Sequence, residues 1–236
     1  MKIGILAAGI TPDLLLASFP TYADMFLEQL AVIDQSFTFT TYDVRLGFFP
    51  ESVTECDAWL ITGSKSDAYA DEAWILRLCE VIKDIDQLKR PLVGICFGHQ
   101  IIARALGGRV EKFEGGWGVG VHQYQIDESL PMLANNQSIA LCAFHQDQVV
   151  EKPERARVIL RSDFCQNAGL IYDDHILTFQ GHPEFSEEYE KELINLYDGQ
   201  QLTAQQAKEA RDTLGVNEIY SLQLMKGIAS FLKKPE

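Results

Sequence analysis

The segment Pro91-Leu92-Val93-Gly94-Ile95-Cys96-Phe97-Gly98-His99-Gln100 constrains this chain more than any other. An apolar run leads straight into a cysteine with a glycine two positions before it and another two after. The helical pattern Ile101-Ile102-Ala103-Arg104-Ala105-Leu106 follows at once. The spacing predicts a buried strand, a tight turn and a helix, with Cys96 at the apex. Such a turn crowds the neighbouring backbone, and Gly94 and Gly98 relieve the crowding. The apex sits at a helix N-terminus, where unpaired N–H groups and the helix dipole favour a thiolate. The backbone N–H of Phe97 points to the same spot and can stabilise an oxyanion when the sulfur attacks a carbonyl carbon. A lone cysteine is more often a small buried hydrophobe. The two framing glycines tip the reading toward a nucleophile.

A nucleophilic cysteine needs a base. The histidines are His99, His122, His145, His175 and His182. His182 lies in Gly181-His182-Pro183-Glu184, just after the apolar run Ile176-Leu177-Thr178-Phe179-Gln180, so it is expected at the C-terminal end of another strand. Open α/β sheets place their sites there. Pro183 forces His182 into an extended conformation. Extended residues two apart point the same way, so Glu184 can reach the imidazole and fix its tautomer. His99 competes on proximity, but three positions into the helix it is expected beneath the turn as a structural histidine. His122 and His175 belong to no constellation and read as polar strand residues. No zinc-type spacing of His and Cys occurs, and no metal or cofactor is expected.

The two motifs, Gly94-Ile95-Cys96-Phe97-Gly98-His99-Gln100 and Gly181-His182-Pro183-Glu184, match the class I (triad) glutamine amidotransferases in type, order and separation. The chain resembles that family over roughly residues 1–190. The resemblance implies Cys96 as nucleophile on a γ-glutamyl amide, His182 as base and then acid, and Glu184 as the orienting carboxylate. Leu60-Ile61-Thr62-Gly63-Ser64-Lys65 is similar to the family's second oxyanion loop, with Ser64 and Lys65 where Gly and Pro are usual. Gly63 or Ser64 would supply that N–H, beside Phe97. Gln100 matches a glutamine-contacting position. Phe144-His145-Gln146-Asp147-Gln148-Val149 resembles a stretch that lines the pocket for the α-amino and α-carboxylate groups, which makes His145, Gln146 and Asp147 substrate-binding candidates.

The formal charge of -14 argues against nucleic acid or an anionic membrane as the main partner. No apolar run reaches transmembrane length. Met1 to Ala8 reads as a first buried strand rather than a signal peptide. The five cysteines, Cys56, Cys79, Cys96, Cys142 and Cys165, are odd in number and irregular in spacing. A reducing, cytoplasmic setting is the expectation, with all but Cys96 as buried hydrophobes.

Along the chain, strands are expected at Lys2–Ala7, Phe37–Tyr42, Ala58–Thr62 and Pro91–Ile95, with helices near Tyr22–Ile33 and Glu72–Leu88. In the second helix Trp74, Leu78, Val81, Ile82 and Ile85 face inward. Strands alternating with helices predict an α/β fold, an open, mostly parallel, flavodoxin-like sheet with helices on both faces. After Leu106 short strands and turns are expected, as antiparallel additions: Gly107–Val110, Gly115–Val121, His122–Ile126, Ile139–Ala143, Arg157–Arg161 and Gly169–Tyr172. The glycines of Gly115-Gly116-Trp117-Gly118 fit no phosphate loop and point instead to close backbone approach near the pocket. From residue 186 to 236 a helical tail follows, with helices opening at Glu187, Ala204 and Asn217 and no chemistry of its own. One domain over 1–236 is expected.

The leading expectation is an enzyme that hydrolyses the γ-amide of glutamine through a γ-glutamyl thioester, either alone or passing ammonia to a separate synthetase subunit. Ile61-Thr62-Gly63-Ser64-Lys65-Ser66-Asp67-Ala68-Tyr69 also resembles the plant γ-glutamyl peptidases, so a free-standing peptidase is the alternative. A non-catalytic binding relative is the third reading, and the intact Cys96, His182 and Glu184 speak against it.

Overall fold

The computed structural model describes residues 1–128, 130–133 and 136–233. Alternating apolar residues build its central sheet. Along β1 (Lys2–Ala7), Ile3, Ile5 and Ala7 face one core while Leu6 faces the other. The same alternation divides Leu60 from Trp59 in β3 (Ala58–Ile61), and Val93 and Ile95 from Leu92 in β4 (Leu92–Ile95). α1 (Tyr22–Ile33) covers the first face through Phe26 and Leu30. α2 (Ala73–Gln87) and α3 (Phe97–Ala105) cover the second through Leu78, Ile82, Ile101 and Ile102. Trp74 is only partly buried, and its ring stacks on Phe97 at 5.6 Å.

The remaining strands are β2 (Thr38–Asp43), β5 (Arg109–Lys112), β6 (Gly118–Ile126), β7 (Ser138–His145), β8 (Asp147–Glu151), β9 (Ala156–Arg161), β10 (Gly169–Tyr172) and β11 (Ile176–Phe179). The sheet order is β2-β1-β3-β4-β11-β10-β9-β6-β7. From β2 to β11 the pairing is parallel, and from β11 to β7 it is antiparallel. The expected α/β architecture with antiparallel additions is present. Two details differ from expectation. Gly118 to Ile126 is one long strand rather than two short ones, because its whole length pairs with β7. No strand was expected over Asp147–Glu151, yet this segment forms β8 and pairs with β5 in a separate ribbon.

Three helices follow: α4 (Glu187–Tyr197), α5 (Ala204–Thr213) and α6 (Ser221–Leu232). Thr203 caps α5 with a reciprocal Gln206 contact. α6 starts later than the sequence suggests and buries Leu224, Met225, Ile228 and Phe231 in the first core beside α1. α4 and α5 pack on β6 and β7 instead, at the end of the sheet that faces the cysteine. Residues 234–236 of the expected tail lie outside the described residues. No described helix is long and apolar enough to cross a membrane.

Candidate active site

Sheet order explains why residues far apart in sequence converge. β4 lies between β3 and β11, all parallel, so the turns after the three strands open side by side. Gly63 follows β3, Cys96 follows β4 and His182 follows β11.

Cys96 adopts φ 53° and ψ -103°, a backbone conformation that a side chain rarely occupies. The surroundings hold it there. Its N–H donates to Phe179 O at 2.8 Å, and its carbonyl accepts from Gln100 N at 3.0 Å. The two glycines are needed for space. A Cβ on Gly94 would fall 2.6 Å from Gly98 O, and one on Gly98 would fall 2.4 Å from Ile61 O. Cys96 is the N-cap of α3, so the first N–H groups of that helix, Phe97 among them, have no intrahelical acceptor. The Phe97 ring itself is buried in the second core, which leaves only its backbone for the site.

His182 Nδ1 donates to Glu184 Oε1 at 2.8 Å, and both residues are almost fully buried. The Cys96 sulfur lies close enough to the imidazole to favour its charged form. Its ring lies flat on Phe185, with centroids 4.0 Å apart, and its backbone N–H donates to Cys142 O at 2.8 Å. The main chain of Glu184 is tied down in turn by Gln29 Nε2 from α1. Burial disfavours the imidazolium, but the Glu184 carboxylate and the Cys96 sulfur outweigh it and hold the His182 pKa well above its ordinary value. Gly63 sits against this pair: a Cβ there would lie 3.1 Å from His182 Cε1 and 3.7 Å from Cys96 Cβ. Gly9 presses against the Gly63–Ser64 backbone from the other side.

Cys96 and His182 open onto a cavity of about 550 Å³. Cys96, His182, Ser64, Gln100, His145, Gln146 and Asp147, all named from sequence, line it. Gln100 Nε2 donates to Asp147 O at 2.8 Å and to Gln180 Oε1 at 3.1 Å, which ties α3 to the start of β8. His145 Nδ1 contacts Asp147 O, and burial pushes this histidine down to about 3, so it stays neutral. Burial, followed by the neighbouring Asp67 carboxyl, pushes Asp147 up to about 6. Gly63 and Phe97 reach the site through backbone rather than as lining side chains.

Sequence reasoning missed part of the wall: Tyr22 from α1, Asp67 and Tyr69 from the loop after β3, Trp117 before β6, and Tyr197 and Gln201 around the end of α4. The tail therefore shapes the site, contrary to the expectation of a helical extension without chemistry. Trp117 had a signal, the glycine cluster around it, and Asp67 and Tyr69 lay within the stretch that resembles the plant peptidases; Tyr22 and Tyr197 had none beyond ordinary helical spacing. His99 is buried, with Nδ1 2.8 Å from Thr178 Oγ1, and burial lowers it to about 3, as a structural histidine requires. His175 is not a strand residue. It lies in the turn before β11, where Nε2 meets Asp86 Oδ1 at 2.8 Å.

Comparison with known proteins places the chain in a family. The pattern of the family described as glutamine amidotransferase class-I matches residues 23–196. Gamma-glutamyl peptidase 2 of Arabidopsis thaliana is 39% identical over 155 residues, 63% of this chain and 62% of that protein, so the match spans under two thirds of that relative. Gamma-glutamyl peptidase 4 of the same plant is 31% identical across 95% of this chain and 93% of its own length. Among solved structures, a glutamine amidotransferase from Thermotoga maritima superposes with a TM-score of 0.72 over 98% of this chain and 95% of that one, at 19% identity, a likeness of fold. The span of the family match, and the fold it shares with solved relatives, make this chain a member of the class-I glutamine amidotransferase family.

Proposed function

We propose that the protein hydrolyses γ-glutamyl amide bonds, with Cys96 as nucleophile, His182 as proton carrier and Glu184 as the carboxylate that orients it. One observation carries this reading. The thiol stands on a strained elbow beside an imidazole whose Nδ1 is fixed by a buried carboxylate, at the floor of a cavity. The Cys96 thiolate attacks the γ-carbonyl carbon, and the N–H groups of Phe97 and of Gly63 or Ser64 receive the oxyanion. As the tetrahedral adduct collapses the C–N bond breaks, and the His182 imidazolium gives its proton to the leaving amine. A γ-glutamyl thioester remains. His182 then takes a proton from water, the hydroxide attacks the thioester, and glutamate leaves as the thiolate re-forms. His145, Gln146 and Asp147 bind the α-substituents of the γ-glutamyl group, with ionised Asp147 facing the α-ammonium.

The size of the cavity favours γ-glutamyl peptides over free glutamine. It falls in the range that holds drug-sized ligands, and its wall runs on to Trp117, Tyr197 and Gln201. The two plant relatives, both named gamma-glutamyl peptidases, point the same way. The second reading is a glutaminase that passes ammonia to a separate synthetase subunit, for which the family membership speaks.

The test is mass spectrometry of the purified protein with a γ-glutamyl dipeptide and, separately, with glutamine. Release of glutamate from the dipeptide is expected, together with modification of Cys96 by a glutamine-like diazoketone. Cys96→Ala and His182→Ala should each abolish turnover, a loss of several orders of magnitude. Full activity in either variant would refute the assignment. Ammonia from glutamine only after a partner is added would favour the second reading.

A further inference from the structure

Phe185, the residue after Gly181-His182-Pro183-Glu184, takes no part in the chemistry above, yet it lies against His182. Its N–H donates to His182 O at 3.4 Å, which closes a turn across Pro183 and Glu184. Proline suits the second place of such a turn. The turn folds the Phe185 side chain back over the imidazole. The two rings are parallel, with 6° between their planes and 4.0 Å between centroids. Phe185 is itself buried and firmly backed. Tyr189, from the first turn of α4, meets it edge-on at 4.6 Å, and Tyr22 of α1 lies 5.7 Å away. Phe19 backs Tyr189 in turn at 5.1 Å. The same turn of α4 also buries Glu190, whose Oε1 accepts the Gly120 N–H at 2.9 Å and anchors that turn to β6.

We propose that Phe185 is a positioning residue for proton transfer: a flat platform that fixes the plane of the His182 imidazole and so keeps its proton-carrying nitrogen aimed at the Cys96 sulfur. The proposal deepens the hydrolytic reading and rests on it.

Three contacts together leave the imidazole one orientation. Glu184 Oε1 holds Nδ1 at 2.8 Å. A hydrogen bond directs that edge of the ring but accepts a spread of angles, so the plane could still tilt. Phe185 removes this freedom, because one of two stacked rings cannot tilt without a collision at one edge and lost contact at the other. Gly63 closes the Cε1 edge, where a Cβ would lie only 3.1 Å away. Nε2 is left for the thiol and the leaving amine. Charge adds to shape. His182 is an imidazolium in the step that expels the amine, and a cation within about 6 Å of an aromatic face is attracted to it. An aliphatic side chain would fill much of the same space but offer neither a plane nor a π face. The orientation matters because a misplacement of about 1 Å can cost about a hundredfold in rate.

The experiment compares Phe185→Leu with the natural protein in two ways. With a γ-glutamyl dipeptide, kcat should fall by about tenfold or more while KM stays within about twofold. Without substrate, the His182 Nδ1–H is followed in ¹⁵N-histidine-labelled protein, its resonance assigned by its loss in His182→Gln. The bond to a buried carboxylate should protect this proton from solvent, and in Phe185→Leu it should exchange about tenfold faster or more. Phe19→Leu is the control. It loosens the same aromatic cluster without touching His182, and kcat should stay within about twofold of the natural value. An unchanged kcat in folded Phe185→Leu overturns the proposal, whether or not KM rises. So does an Nδ1–H that exchanges as slowly as before, or a loss in Phe19→Leu equal to that in Phe185→Leu. Phe185→Met, which fills the space with a flexible chain, decides the matter on the same readings if the leucine variant does not fold. Because the exchange is read without substrate, a natural protein inert toward every γ-glutamyl compound defeats the hydrolytic reading separately, and the platform is then judged on exchange alone.

Discussion

Cys96 and its two framing glycines show how much a single position can demand of its neighbours. A side chain at φ 53° costs on the order of 1–3 kcal/mol, and it persists only where the surroundings over-determine it. Here they do, through the backbone bonds to Phe179 and Gln100 and through the close packing of Gly94 on Gly98 and of Gly98 on Ile61. Gly98→Ala is the sharpest test at this scale. Its methyl would meet a strand carbonyl rather than a flexible side chain, so α3 must move away from β3. Urea unfolding should show a loss of about 3 kcal/mol, and labelling of Cys96 by the diazoketone should slow by at least tenfold. The glycines were legible in the sequence because this steric requirement leaves a fixed spacing. Glu184 was legible because Pro183 sets the chain direction. Glu190 was not: in sequence it is one acid among Glu187, Glu188, Glu190 and Glu192 at the start of a polar helix. Only packing tells which of them turns inward.

At the level of elements, β6, α4 and α5 meet at one residue. Gly120 has φ 91°, its N–H serves Glu190, and a Cβ on it would fall 2.5 Å from Thr213 Oγ1 and 2.7 Å from Ala210 O. Thr213 in turn accepts the Val121 N–H at 2.8 Å and donates to Ala210 O at 2.6 Å. Gly120→Ala should therefore loosen both helices at once. A loss of about 2 kcal/mol or more is expected in urea unfolding, with faster hydrogen exchange across α5. The parallel strands and α1 to α3 were readable from hydrophobic period, since each buries a complete face or stripe. β8 was not, because its polar start at Asp147 and Gln148, of which Asp147 lines the pocket, masks the alternation. The part that α4 plays in the cavity wall was hidden for a related reason. An amphipathic pattern announces that a side is buried without saying what it is buried against.

For the whole molecule, buried groups set opposing pH dependences. Burial lowers His99 and His145 to about 3 from 6.5, so unfolded chains take up protons below pH 6.5 that the folded protein refuses. Their contribution is complete above pH 6.5 and is lost as pH falls toward 3. Glu190 is raised to about 8 from 4.5, so its contribution is complete below pH 4.5 and is lost as pH rises toward 8. Each group changes stability by about 1.4 kcal/mol per pH unit inside its window. Above 6.5 the two lowered histidines have nothing left to add, while Glu190 and His182, both held above their unfolded values, lose stability together as pH rises. Urea titrations should show the natural protein weaker at pH 8 than at pH 6.5 by about 2 kcal/mol or more, and Glu190→Gln falling less over the same span. The strand order carries a consequence for biosynthesis as well. A ribosome finishes β3 and β4 long before it reaches β11, which pairs directly with β4. On the proposed chemistry, a nascent or stalled chain that stops short of residue 182 displays a thiol with no imidazole beside it, and should hydrolyse nothing until translation has passed that point.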